Sequence, residues 1–240
     1  MCGRYALGVD SDQLTQLFEL VHAAPVVANW NVTPQSVAPV VLSSAKRGGR
    51  TLEPLTWGFR PSADPMNEGK RQSSQKHGDA RQYYINARAE TVSALRSFRY
   101  QLQTRRCVVP ASGFYEWQRT GAAGRGDRLP HYVRRQDESA LMLAGLWNRT
   151  RGEDGAPHHS FLVLTQPMPD ALGYIHKRAP IDLSRDGMRR WLDPTAEPSH
   201  ALAGARSTAV TNWRAHRVGM DVNDGRARGI GLCYPIAEET

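Results

Sequence analysis

Lysine is scarce, long apolar runs are missing, and the cysteines neither pair off nor cluster. Of 31 Lys+Arg residues in 240, only Lys46, Lys70, Lys76 and Lys177 are lysines. No stretch approaches the ~18–20 consecutive apolar residues of a membrane-spanning helix, and mean hydropathy is −0.53. The start, Met1-Cys2-Gly3-Arg4-Tyr5, has no charged segment leading into an apolar run, so no secretory signal is expected. Cys2, Cys107 and Cys233 are odd in number and form no CxxC. That rules out a disulfide framework and a zinc knuckle. There is no HExxH and no Cys/His cluster. His158 and His159 are adjacent in what reads as a loop, where their rings would point apart, so neither metal nor cofactor is expected. These absences point to an intracellular, soluble protein, cytoplasmic, with no membrane partner and expected to be a monomer.

What is present is arginine, unevenly placed. Residues 44–135 carry 18 basic against 7 acidic side chains, whereas both flanks are slightly acidic, so the whole surplus behind the net charge of +8 lies mid-chain. A basic segment in a chain of pI 9.7 is the electrostatic footprint of a polyanion partner, most often nucleic acid. The planar guanidinium suits phosphate. A GC-rich genome would also raise arginine, whatever the function.

Asp10 to Val21 reads as a short amphipathic helix capped by Asp10 or Ser11, with Leu14, Leu17, Phe18 and Val21 on one face. Strand-like runs follow at Val37–Leu42 and Thr51–Trp57, joined by the turn Ala45–Arg50. The polar stretch from Ser62 to Gln82 has no apolar periodicity and is expected to be a long mobile loop. Thr91 to Thr104 reads as a helix. A series of short strands comes next, at Cys107–Val109, Gly113–Gln118, His131–Arg134, Ala140–Trp147 and Phe161–Thr165. Arg119–Leu129 and Thr150–Pro157 are hairpin or loop material between them. Pro169–His176 and Ser184–Leu192 read as short helices, and Thr208–Trp213 as a late strand. With no repeat and no composition shift, residues 1–240 form one domain. The expected class is α+β, with a β-rich, antiparallel core closed or nearly closed into a barrel and short helices outside it.

Several positions carry chemistry. Removal of Met1 ahead of the small Cys2 would leave an α-amine of pKa ~7.7–8.0 and a thiol of pKa ~8.5 on adjacent carbons. Such an aminothiol closes on an aldehyde as a five-membered thiazolidine, although a cysteine at position 2 also occurs by chance. In Tyr84-Ile85-Asn86-Ala87-Arg88-Ala89-Glu90-Thr91, a strand end passes into a helix start; Asn86 can hydrogen-bond both ways and Arg88 can hold an anion. Glu116 stands alone among aromatic and apolar residues in Val109-Pro110-Ala111-Ser112-Gly113-Phe114-Tyr115-Glu116-Trp117. Desolvated there it would titrate high and serve as acid or base; on alternation alone it would face outward. After Thr165, the segment Tyr174-Ile175-His176-Lys177-Arg178-Ala179-Pro180 ends a helix on His176, where a histidine is commonly structural or solvated.

Taken in order, Met-Cys-Gly-Arg-Tyr, Asn31-Val32-Thr33-Pro34, Trp57-Gly58, Ile85 to Thr91, Gly113-Phe114-Tyr115-Glu116-Trp117 and His176-Lys177-Arg178-Ala179-Pro180 resemble one family. It is the SRAP family, the SOS response-associated peptidases or abasic-site processing proteins, and the resemblance runs from Cys2 to about Pro235. It implies a barrel-like β-rich fold and binding of single-stranded DNA at an abasic site, with a covalent crosslink through the terminal cysteine. By motif, Cys2 would be the nucleophile, Asn86 would position it, and Glu116 and His176 would handle protons. Arg4 and Arg88 would face phosphate in the site, and Arg96 and Arg178 would add backbone contacts. The resemblance further implies lyase chemistry and autocatalytic removal of Met1. Where the family usually carries a proline and stacking tryptophans, this chain reads Phe59-Arg60-Pro61-Ser62-Ala63-Asp64, and Ala179 stands where a methionine is usual. Two other readings stay open. One is an N-terminal-nucleophile cysteine peptidase or amidase. The other is a non-catalytic nucleic-acid-binding module using the basic segment with Trp57, Tyr83 and Tyr84.

Overall fold

The computed structural model describes residues 2–61, 83–121, 126–152 and 155–236, so the expected Ser62–Gln82 loop lies outside the described residues. Its centre is a ring of five strands: β4 (Val37–Ser44), β5 (Gly49–Trp57), β7 (Arg106–Ala111), β10 (Leu141–Arg151) and β11 (Pro157–Pro167). The hairpins β4–β5 and β10–β11 pair antiparallel, and β7 lies between β4 and β10. A short parallel pairing, Ser160 with Thr56 and Phe161 with Trp57, closes the ring. Two short strands extend the wall: β2 (Leu20–Ala23) parallel to β5 and β6 (Asn86–Arg88) parallel to β11. The barrel expectation therefore holds, and parallel pairs complete its largely antiparallel sheet.

A second sheet has the order β13 (Trp213–Arg217), β9 (Arg128–Arg135), β8 (Gly113–Arg119), β1 (Tyr5–Leu7) and β3 (Asn29–Val32). It covers one face of the barrel wall through Tyr5, Phe114, Val133 and Trp213, which cluster with Val40, Leu55, Trp57, Val109 and Phe161. Four helices cover the other face: α1 (Ser11–Phe18), α2 (Arg96–Thr104), α3 (Arg185–Leu192) and α4 (Pro198–Ser207). Phe18, Phe98, Leu102, Met188 and Trp191 pack there on Val41, Leu52, Val108 and Leu162. With both faces covered, β7 reads Arg-Cys-Val-Val-Pro-Ala and is buried throughout. Cys107 is one of its fully buried apolar positions.

Several boundaries differ from the sequence reading, each for a local reason. α1 has the expected Asp10 cap within a reciprocal capping box, but it stops at Phe18 because Glu19 turns left-handed at φ 53°, and Leu20–Ala23 becomes a strand. Thr91–Ala94 forms turns, Leu95 is an extended N-cap, and the helix begins only at Arg96. Pro169–His176 holds just a 3-10 turn, Asp170–Leu172, so His176 is not at a helix terminus. Thr208 is the C-cap of α4 and the strand starts at Trp213. His158 and His159 belong to β11 and not to a loop.

Candidate active site

The chain entry, β8, β6 and the segment before β12 (Arg178–Pro180) meet at one end of β11. β1 pairs with β8 through Tyr5↔Phe114, and Tyr115 N–H donates to the Arg4 carbonyl at 2.9 Å, so the stretch ahead of Tyr5 runs alongside Glu116. β11 carries the other two arms: Thr165 pairs with Arg88 of β6 and with Pro180 of β12, which therefore lie on opposite edges of it. Trp57 sets the height of β6. It is fully buried, stacked on Phe161 and edge-on to Tyr5, and its Nε1–H donates to the Ile85 carbonyl at 2.9 Å. Gly58 follows at φ +155°, where a Cβ would collide with the Gln35 amide.

These arms bring Cys2, Asn86, Glu116 and His176 together. Asn86 Nδ2 donates to the Cys2 carbonyl at 2.7 Å, while its Oδ1 is buried and makes no hydrogen bond among the described residues. The Cys2 Sγ–H points at the Arg4 carbonyl, 3.8 Å away. Glu116 Oε1 lies 3.8 Å from His176 Nδ1, and that nitrogen faces the Arg178 backbone, 3.0 Å from its N–H and 3.1 Å from its carbonyl, accepting from the one when unprotonated and donating to the other when protonated. Glu116 is 2 % exposed, so the outward-facing alternative fails. Burial pushes its carboxyl up to about 7 and pushes the half-buried His176 imidazole down from its ordinary value. The carboxyl thus rises past the ordinary imidazole value while the imidazole falls below it, so the form with Glu116 ionised and His176 protonated is a minority one in the free protein. The Cys2 thiol is driven far up by burial and, next, by the nearby Glu116 charge.

The arginines separate into two kinds. Arg88 and Arg96 are exposed and make no ion pair among the described residues. Arg88 ends the strand that begins with Asn86; Arg96 opens α2, and among the described residues no hydrogen bond or ion pair ties it to the Cys2 group. Arg4 and Arg178 are already engaged. Arg4 Nη1 donates to Asn31 Oδ1 at 2.8 Å and to the Val222 carbonyl at 2.6 Å. It lines a cleft of about 470 Å³ together with Trp117, Asp127 and Arg128. Arg178 grips both oxygens of Glu90, at 2.6 and 2.9 Å.

Two residues inside the sequence motifs had been given no role. Asn31, buried, accepts from Arg4 and donates to the carbonyls of Asp224 and Ala227, tying the start of the chain to its C-terminal turns. Glu90 stands at the two-residue spacing of Asn86 and Arg88, and that spacing was its only signal. Of the aromatics invoked for a passive binder, Trp57 is inaccessible and Tyr84 packs edge-on to Phe98, which leaves Tyr83 exposed. The segment expected to carry the stacking element lies largely outside the described residues. Among the described residues no group of His, Cys, Asp and Glu could hold a metal ion, and no helix is long and apolar enough to cross a membrane.

A family model described as SOS response associated peptidase (SRAP) matches residues 1–225. The chain is 26% identical over 227 residues to abasic site processing protein YoqW of Bacillus subtilis, covering 93% of this chain and 94% of that one. Over 247 residues it is 25% identical to abasic site processing protein YedK of Escherichia coli, covering 98% and 100%. A crystal structure of a Bacteroides thetaiotaomicron protein superposes with a TM-score of 0.74 at 19% identity, over 98% of this chain and 100% of that one, a likeness of fold.

Proposed function

The chain belongs to the SRAP family, and from that premise we propose that it processes abasic sites in single-stranded DNA by trapping them on Cys2. The observation that carries the proposal is the convergence of Cys2, Asn86, Glu116 and His176 from four separate stretches of chain. The reaction starts once Met1 is removed and the Cys2 amine is free. An abasic sugar equilibrates between a closed hemiacetal and a small fraction of open aldehyde at C1′. His176, as acid, assists ring opening, and Glu116, as base, takes a proton from the Cys2 ammonium. The amine nitrogen bonds to C1′, and the carbinolamine loses one water to give a Schiff base. The Cys2 sulfur then bonds to C1′ while its proton passes to the nitrogen, and the thiazolidine closes. Left open, the imine would acidify C2′, and β-elimination would break the C3′–oxygen bond and cut the strand. The thiol thus turns a lyase into a protective crosslinker.

Asn86 holds the Cys2 carbonyl, and its unused Oδ1 suits the freed amine as donor. A thiolate-first amidase fits less well, because burial drives the Cys2 thiol away from thiolate. Amine-first attack does not need one.

Intact mass spectrometry tests the proposal. The purified protein should lack Met1, and with an oligonucleotide bearing one abasic site it should gain that oligonucleotide's mass less one water. Cys2→Ala should lose the stable adduct while retaining strand scission through its own amine. Retention of Met1, or an adduct as durable in Cys2→Ala as in the parent protein, would overturn the thiazolidine mechanism.

A further inference from the structure

Glu90 is joined, through Arg178, to the arm that carries His176. We propose that Glu90 is a positioning residue: through Arg178 it fixes the His176 imidazole against Glu116 and locks that arm to the one carrying Asn86. The inference rests on the trapping mechanism above, in which His176 moves a proton.

The links form one continuous path. Arg178 Nη1 donates to Glu90 Oε1 at 2.6 Å and Nη2 to Oε2 at 2.9 Å, a two-pronged contact that fixes the guanidinium plane as well as its distance. Nη2 also donates to the Thr165 carbonyl at 2.7 Å and to Thr165 Oγ1 at 3.1 Å, which bolts the group to the middle strand β11. Held at its side chain, Arg178 presents its backbone N–H at 3.0 Å and its carbonyl at 3.1 Å to His176 Nδ1, so either protonation state of that nitrogen finds a hydrogen bond there. That hydrogen bond orients the ring whose Nδ1 stands 3.8 Å from Glu116. At the other end, Glu90 lies two residues beyond β6, and Ala89 N–H donates to the same Thr165 carbonyl at 2.9 Å. The Asn86 and His176 arms are therefore cross-braced over one residue of β11.

Glu90 is unsuited to a proton-transfer role of its own. Arg178 holds its carboxyl below the usual carboxylate range, so it stays ionised at neutral pH. The same contact changes the expected part of Arg178. A guanidinium fork filled by a carboxylate has few donors left for DNA phosphate, and an incoming phosphate would meet the Glu90 charge. The main task of Arg178 is thus to brace the site.

Glu90→Gln and Glu90→Asp separate this role from its rivals. Three quantities decide: the rate constant for trapping at saturating abasic oligonucleotide, the affinity for the same oligonucleotide without the lesion, and the side-chain ¹⁵N resonances of His176 in the free protein. Glu90→Gln, which puts an amide N–H₂ against the guanidinium donors, should lower the rate constant at least tenfold, leave affinity within twofold, and shift or broaden the His176 resonances. Glu90→Asp, which keeps the charge on a shorter stem, should fall between Glu90→Gln and the parent protein, and it supplies the same three readings if the glutamine variant does not fold. An unchanged rate constant, a loss confined to affinity, or unaltered His176 resonances would overturn the assignment. If the parent protein traps nothing while Glu90→Gln still moves the His176 resonances, the crosslinking mechanism falls and the bracing of the ring stands.

Discussion

Glu116 lies in a strand whose neighbours are aromatic, and its carboxyl is pushed up to about 7 by the loss of water around it. Below that pH it is protonated and cannot relieve the Cys2 ammonium; above it the base is free. In the proposed mechanism, trapping at saturating DNA should therefore rise on the acid side as Glu116 ionises, pass a maximum, and fall again as His176, the acid, loses its proton, and Glu116→Gln should remove the rising limb from a pH–rate profile. The same shift has a consequence for stability. A group whose folded value lies above its unfolded one favours the fold fully below the unfolded value, here near 4.5, and that contribution is lost as pH rises through about 7. Glu116→Gln, uncharged at every pH, should melt above the parent protein at pH 8, with the gap narrowing towards pH 5 in a thermal scan. In the sequence Glu116 stood out as an acid among Phe114, Tyr115 and Trp117. Its burial was not legible there, because alternation in β8 gives two faces and both turn out to be covered.

Each helix ends by exposing carbonyls that need donors, and buried Arg106, at the head of β7, serves two of these ends at once. Its guanidinium donates to Leu102 and Gln103 at the end of α2, and to Trp191, Asp193 and Ala196 at and beyond the end of α3. Arg106→Met would fill the space and leave those carbonyls without their donor. The expected cost is on the order of 3 kcal/mol or more, a fall of roughly 6–12 °C in melting temperature for a chain of this size, read by circular dichroism. Elements with local signals were legible: the hairpins β4–β5, β8–β9 and β10–β11, the capped α1, and α3 behind Ser184. Those held by distant partners were less so. β6, within the stretch read as a strand end, is three residues long, and its partner, β11 more than 70 residues later, could not be read from the sequence. α4 went unseen because its apolar positions are Ala201, Leu202 and Ala205, too small and few to show a stripe, and its start is marked by Glu197 and Pro198.

At the scale of the whole molecule, a net charge of +8 overstates what DNA can meet. Arg106 and Arg135 are buried, the latter on Asp182; Arg178 is bound to Glu90; Arg50 and Arg189 share Glu19; and Arg134 and Arg214 share Glu138. Counting charges along the chain could not separate these from Arg88 and Arg96, because an ion pair such as Arg189–Glu19 joins residues far apart in sequence. Single-stranded DNA binding loses ~0.7 of log–log salt slope for each phosphate contact removed. Titrations across salt concentrations with Arg88→Ala and Arg96→Ala should each show a slope shallower by about that amount, with weakening that is the same for every oligonucleotide sequence. Arg189→Ala, which removes an equal formal charge from the pair on Glu19, should leave the slope where it was. Equal changes in all three would mean that overall charge draws the DNA in, with no track laid by particular arginines. A change confined to Arg88 and Arg96 would place the strand over the exposed end of β6 and the start of α2.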